Sequence, residues 1–306
     1  MTRYILRRIL EFVPVLLAIA TITFFLVRVA PGGPFDAERN PSPQVLKQLE
    51  AHYNLDAPLY RQYFDYLAGA VRGDLGPSFR KPSRSVREWI LLRLPVSIEL
   101  GCYALAVALL IGLTAGVLAS LRPNSVLDHA PMALAMTGIC IPSFVLGPLL
   151  VLVFALWLGW LPVDGWNAAP LDKLLPSLTL GAMYAAYVAR LTRGGMMEVL
   201  SQDFIRTARA KGLSEARVVV RHGLRGGVQP VVAYLGPAAA GLLTGSFVVE
   251  TIFGVPGLGS EFVDAAFNRD YTMIMGTTLL YASLVMLLNL AADVANAWLD
   301  PRVRNV

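Results

Sequence analysis

The sequence predicts an all-α integral membrane protein, a helical bundle crossing a lipid bilayer about six times. Three observations predict it. Hydrophobic residues fill 56% of the 306 positions and charged residues only 15%, against about 25% in a typical soluble domain. Six charge-free runs of at least 16 residues punctuate the chain. Those runs are continuous, whereas barrel strands alternate in hydrophobicity over about ten residues.

Taken in order, the runs are Phe12–Val27, Gly101–Leu121, Pro131–Val163, Leu174–Ala189, Gly226–Val249 and Tyr271–Ala292. A helix needs roughly 17–25 apolar residues to span about 30 Å of hydrocarbon. The first and fourth runs are 16 residues long and need their flanks. The third has 33, too long for one helix and too short for two with a turn. It reads as one kinked helix plus a re-entrant or interfacial stretch, with Pro142 and Pro148 as the cause of the kink. Arg3, Arg7 and Arg8 give the first run a signal-peptide-like start, but cleavage after Ala30 would place Arg28 where a small residue is needed, so it reads as a retained span. Cys102 and Cys140 both fall inside predicted spans, as small packing residues; two cysteines so placed exclude a disulfide scaffold and a cysteine-based zinc site.

Basic residues orient the bundle. The stretch 190–225 holds eight Lys or Arg, whereas the loops 163–173 and 250–270 hold one each. Six spans with both termini cytoplasmic then put 190–225 inside. The segment 30–95 falls outside although it carries nine basic residues; its seven acids nearly balance them, and the rule weakens for long loops. The chain thus divides into a first transmembrane helix at 1–30, a periplasmic segment at 31–96, and a core at 97–306 with five helices and a basic loop at 190–227.

Pro31-Gly32-Gly33-Pro34 should break the first helix. Ser42–Tyr53 has a helical pattern with Pro43 in its first turn. Tyr60, Tyr63, Phe64, Tyr66 and Leu67 predict a second short amphipathic helix. In the core, Gly112 with Gly116 and Gly241 with Gly245 sit one turn apart, which lets a neighbouring backbone come close, the packing mode available in lipid. Pro230 and Pro237 should interrupt the fifth span.

The chemistry of an enzyme is missing. The three histidines, His52, His129 and His222, form no HExxH, no G-x-S-x-G elbow occurs, and no phosphate-binding G-x-x-x-x-G-K-[ST] loop would bind ATP. Acids near membrane depth are costly. Glu99, Glu250 and Asp293 lie near span ends, and Glu250 is the one with a candidate substrate role. Pro142, Ser143, Ser246 and Glu250 are the candidate pathway residues.

The strongest local signal is Asp203-Phe-Ile-Arg-Thr-Ala-Arg-Ala-Lys-Gly-Leu213. Ser201 can cap this helix, Asp203 suits its first turn, and Gly212 can end it in a left-handed conformation. Phe204, Ala208 and Lys211 recur at helical spacing. Such a basic helix between two spans could be a solvated linker, a lipid headgroup site or a partner-docking element.

With Arg221-His-Gly-Leu-Arg225 and Pro230, that run resembles the cytoplasmic loop of bacterial ABC importer permeases of the dipeptide, oligopeptide and nickel group. Arg206-Thr207-Ala208 stand where the wider family has Glu-Ala-Ala, and Gly212 follows at the family's spacing. Gly73-Asp-Leu-Gly76, Ile141-Pro-Ser-Phe144, Leu175-Pro-Ser-Leu178, Val255-Pro-Gly-Leu-Gly259, Asn268-Arg-Asp-Tyr271 and Asp300-Pro-Arg302 extend the resemblance along the chain. Ala30–Phe35 and Gly76-Pro-Ser-Phe79 are most similar to the first membrane subunit of oligopeptide permeases.

The resemblance implies a six-span type I permease in the bacterial inner membrane. It implies a second, homologous permease as partner, two ATPase subunits that bind the ATP and magnesium, and an external peptide-binding protein. No cofactor is expected on this chain. Asp203, Phe204, Arg206, Thr207, Ala208, Lys211, Gly212 and Leu213 would form the helix that couples ATP hydrolysis to transport. The same machinery could carry dipeptides, glutathione or nickel complexes instead. A self-sufficient channel or proton-coupled carrier is the rival from another class; no pair of deep acids forms the relay a carrier needs.

Overall fold

The computed structural model describes residues 2–29, 33–35, 43–167, 169–244 and 246–299. The predicted breaker at Pro31-Gly32, Gly245 of the second glycine pair, and Asp300-Pro301-Arg302 lie outside the described residues. Every regular element among them is a helix, joined by turns and irregular stretches, apart from one isolated antiparallel bridge between Pro77 and Ser85. Four helices are long and apolar enough to cross a bilayer, within Leu6–Val29, Val86–Leu121, Pro170–Leu200 and Tyr271–Val294. Two bent pairs bring the number to as many as six: Val126–Cys140 with Ser143–Trp157, bent by 114°, and Glu215–Gly227 with Gln229–Leu243, bent by 52°.

The chain forms two compact units. One comprises residues 1–97 and 256–290, the other 98–255 and 291–306. Helices α4 (Val86–Leu121) and α14 (Tyr271–Leu299) each pass from one unit into the other. The start of α4 lies 15 residues before the charge-free run, because Arg87, Glu88, Arg93 and Glu99 are accommodated along its first turns.

In the first unit, α1 (Thr2–Val29) is met by α3 (Leu59–Val71). The Thr21 and Tyr63 hydroxyls are 2.6 Å apart, and the Phe24 and Tyr63 rings meet edge to face at 5.2 Å. Arg28 lies over the buried Phe24 ring and donates to Gln62 Oε1 at 3.1 Å, so its charge is satisfied while its stem packs. Helix α2 (Pro43–His52) follows the sequence expectation closely. Burial pushes the Tyr66 phenol of α3 well above its ordinary pKa. The strap that leads into α4 turns at Gly73 and Gly76, both with positive φ, which glycine adopts without strain. It docks on the stretch before α14, described below.

The second unit is organised around α7 (Leu174–Leu200). Glycines let three neighbours approach its backbone. A Cβ on Gly112 or Gly116 of α4 would come within 2.6 or 2.5 Å of Val188 or Thr192. One on Gly138 of α5 (Val126–Cys140) would lie 2.2 Å from the Ala182 carbonyl oxygen. Gly195 of α7 makes the same kind of approach to Gly227. The first glycine pair therefore does what its spacing predicts. Gly241 of α11 (Gln229–Thr244) is crowded by the Tyr184 hydroxyl.

The long third run resolves into a sharp turn. Helix α5 ends at Cys140, Ile141 is extended, and Pro142 opens α6 (Ser143–Leu150), which widens into a π-helix at Val151–Trp157. Pro142 makes the bend. Pro148 sits inside α6 without breaking it; its missing N–H loosens the ladder just before the π turns begin. Likewise the break in the fifth span falls at Val228, with Pro230 in the following first turn, and Pro237 stays within α11. Cys102 and Cys140 are free and exposed on the chain's surface rather than packed inside it.

Candidate functional site

The predicted loop helix is present as α8 (Asp203–Ala210). Its buried face is Ile205 and Ala208, which pack with Val218, Leu200 and Leu213. Phe204 shares a helical side with Ala208 but stays 52% exposed, because the packing direction is set by Ile205. Asp203, Arg206, Thr207 and Lys211 are exposed as well. The helix starts at Gln202 without a side-chain cap; the Ser201 hydroxyl instead donates to the Glu198 carbonyl.

The end of α8 is a Schellman turn. Leu213 N–H donates to the Ala208 carbonyl and Gly212 N–H to that of Arg209, with Gly212 at φ +77°. Leu213 then folds back into the hydrophobic cluster. Arg209 donates twice to Glu215, at 2.7 and 3.2 Å, tying α8 to α9 (Glu215–Arg217). Both restraints stiffen a short helix whose outer side carries an aromatic ring and several charges.

The pathway candidates divide into two pairs. Pro142 is exposed and Ser143 half-buried at the α5–α6 bend. Ser246 and Glu250 are fully buried at α12 (Phe247–Ile252), and the Ser246 hydroxyl donates to the Glu250 carboxylate at 2.7 Å. Helix α12 packs on α6 and α7, so both pairs belong to one corner of the unit. Among the described residues no group of His, Cys, Asp and Glu could hold a metal ion.

Three polar constellations escaped the sequence reading. Arg193 of α7 grips Asp128 of α5 with two bonds of 2.6 and 2.7 Å, and Asn124 N–H adds a third. The buried Glu261 of α13 (Leu258–Phe267) pairs with Lys81 at 2.5 Å and Arg93 at 3.0 Å, beside the Trp89 ring. Asp270 accepts from the Ser78 hydroxyl and from the Arg80 and Met273 N–H groups, with the Thr272 hydroxyl oxygen 3.0 Å from it. Thr272 in turn donates to the Pro77 carbonyl at 2.6 Å. The Gly73–Phe79 and Asn268–Tyr271 motifs are thus two halves of one joint. The long-range partners lie 65 to 195 residues apart, and nothing local in one of them announces the other.

Two family profiles tile the chain. The profile described as "Binding-protein-dependent transport system inner membrane component" matches residues 108–305, and the corresponding N-terminal profile matches residues 1–101. The chain belongs to this family. It is therefore a multi-pass membrane permease component of an ABC importer, with the six-span all-helical fold of the type I group. It is 47% identical to the oligopeptide transport system permease protein OppB of Haemophilus influenzae, over 99% of this chain and 100% of that one. The same protein of Escherichia coli K12 is 48% identical over the same shares. The dipeptide transport system permease protein DppB of Bacillus subtilis is 45% identical over 99% of this chain and 98% of its own length. Among solved structures, the MetNI methionine ABC transporter in an inward-facing conformation superposes with a TM-score of 0.57 at 20% identity, covering 69% of this permease and 96% of that chain. An amino acid ABC transporter with histidines gives 0.52 at 16% identity over 68% and 93%. At those identities the two structures support the fold alone.

Proposed function

We propose that this permease moves oligopeptides across the bacterial inner membrane as one of two homologous membrane subunits. ATP and magnesium are bound by two separate ATPase subunits, and an external binding protein delivers the peptide. Both termini and the 190–227 loop face the cytoplasm. The observation that carries this reading is α8: a stiffened helix between two spans, anchored by Ile205 and Ala208, with Phe204, Arg206, Thr207 and Lys211 left on its outer side. A chain without a nucleotide motif must receive energy through a contact, and a rigid helix anchored in the bundle transmits a push. The bend at Pro142 and Ser143 borders the pathway, while the buried Ser246–Glu250 pair braces α12 against it. Full-length similarity to oligopeptide permeases supports the substrate class, and similarity to a dipeptide permease keeps dipeptides as the second reading.

The outer side of α8 supplies the discriminating variants. Phe204→Ala with Arg206→Glu should leave the chain in the membrane, because both residues are exposed, yet lower peptide uptake at least tenfold, roughly the effect of losing one interface anchor. Ala208→Glu is less telling, since it would also break the loop's own cluster. Normal uptake by the double variant would rule α8 out as the coupling element.

Substrate is tested in cells lacking this subunit, using labelled di- to pentapeptides. Complementation should restore tri- to pentapeptide uptake. Restoration of dipeptides, glutathione or nickel alone would reassign the substrate. Transport by the purified chain alone in liposomes would favour a self-sufficient carrier.

A further inference from the structure

A cavity of about 500 Å³ opens beside α8, where the end of α7 and the stretch leading into the fifth span converge. Its walls include Glu198, Val199 and Phe204 on one side and Arg221, His222 and Arg225 on the other. Arg221 and Arg225 are exposed, and neither makes an ion pair or side-chain hydrogen bond among the described residues. Two unpaired guanidinium groups against one carboxylate leave the cavity cationic. Val199 and Phe204 give it an apolar wall. That combination suits a carboxylate carried on a protein surface, held by the guanidinium forks while its neighbour packs on the ring.

A lipid headgroup fits less well. Arg190 is the first charge after the apolar run of α7, and Glu198 lies eight residues further along the same helix. Eight residues of helix cover about 12 Å. The headgroup layer adds only about 5–8 Å on each side of the hydrocarbon. With the hydrocarbon edge taken at Arg190, the cavity lies beyond the layer that lipid headgroups fill.

We propose that this cavity receives an acidic side chain of the ATPase subunit that docks on α8. The inference rests on the reading of α8 as the docking helix and adds a second anchor to it. The anchor has a mechanical consequence. Gly226 and Gly227 pack directly on Val199 and Met196, so a partner held by Arg221 and Arg225 would pull on the fifth span as well as on α7.

The test uses the complete transporter, with both permeases, the ATPases and the binding protein, in lipid nanodiscs. ATPase affinity is measured as a function of salt for wild type, for Arg221→Glu with Arg225→Glu, and for Arg221→Lys with Arg225→Lys. The glutamate pair should weaken ATPase binding at least tenfold and flatten its salt dependence, as expected when attractive interfacial charges become repulsive. The lysine pair should fall between wild type and the glutamate pair, since it keeps the charge but loses the bidentate fork. Unchanged thermal stability of both variants shows that the loop remains folded. Wild-type affinity in the glutamate pair would overturn the proposal. If the Phe204→Ala, Arg206→Glu variant loses the ATPase under the same conditions, the α8 reading survives that failure; if it does not, both fall. Loss of binding to phosphatidylglycerol vesicles with ATPase affinity intact would make the cavity a lipid site and also overturn the proposal.

Discussion

Replacing Gly138 with alanine should destabilise the α5–α7 pair by about 3 kcal/mol, the upper end of what overpacking costs. The added Cβ would stand 2.2 Å from the Ala182 carbonyl oxygen and 2.5 Å from its carbon. Those are backbone atoms, so no rotamer change relieves the clash and the helices must separate. Separation is expensive in lipid, where close van der Waals contact rather than water exclusion holds helices together. It would also strain the Arg193–Asp128 clamp between the same two helices. A control lies on α7 itself. Gly194 has nothing within 4 Å of an added Cβ, so Gly194→Ala should be neutral or stabilising by about 0.5–1 kcal/mol through helix propensity. Thermal unfolding in detergent micelles measures both. Equal melting temperatures for the two variants would mean that α5 and α7 do not pack as described.

Asp270→Ala should loosen the other unit by about 2–4 kcal/mol, the loss of a helix cap plus a stranded buried hydroxyl. Asp270 is 2% exposed and serves two roles at once. One carboxylate oxygen accepts from Met273 N–H at 3.2 Å, in the first turn of α14. The other accepts from Ser78, which is completely buried, and from Arg80 N–H. With the carboxylate removed, the strap through residues 77–81 loses its main polar tie. Limited proteolysis should then cut near Arg80 and Lys81 many times faster than in wild type. Asp270→Asn keeps an acceptor and should show a smaller effect. An uncut strap in the alanine variant would show that Thr272 and the Lys81–Glu261 pair suffice to hold it.

The helices were legible because their signals are local. Uncharged length marks spans, Pro and Gly mark breaks, and the amphipathic pattern of Asp203–Leu213 together with Gly212 defines α8. The Gly112–Gly116 spacing was legible for the same reason. Where two local signals competed, sequence reasoning could not rank them. Pro142 and Pro148 both looked able to bend the third run, and only Pro142 does, since it follows an extended Ile141 while Pro148 is carried within a continuing helix. Which apolar neighbour on α8 turns inward, Phe204 or Ile205, was not legible, because it depends on where Val218 and Leu200 stand.

The candidate site was therefore half visible. Its outer residues lie in one contiguous motif. Its anchor, and the cavity flanked by Arg221 and Arg225, are assembled from three separate stretches of chain. By itself the sequence determined that this chain is a bundle of membrane-spanning helices, because bilayer thickness and the cost of charge in hydrocarbon constrain each segment independently; the permease reading came from the resemblance of its motifs. The tertiary structure alone decided that Asp128 meets Arg193, that Glu261 and Asp270 each gather partners from the strap before α4, and that Ile205 rather than Phe204 faces inward. Pairing is a property of two segments at once, and nothing in either segment's composition carries the identity of the other.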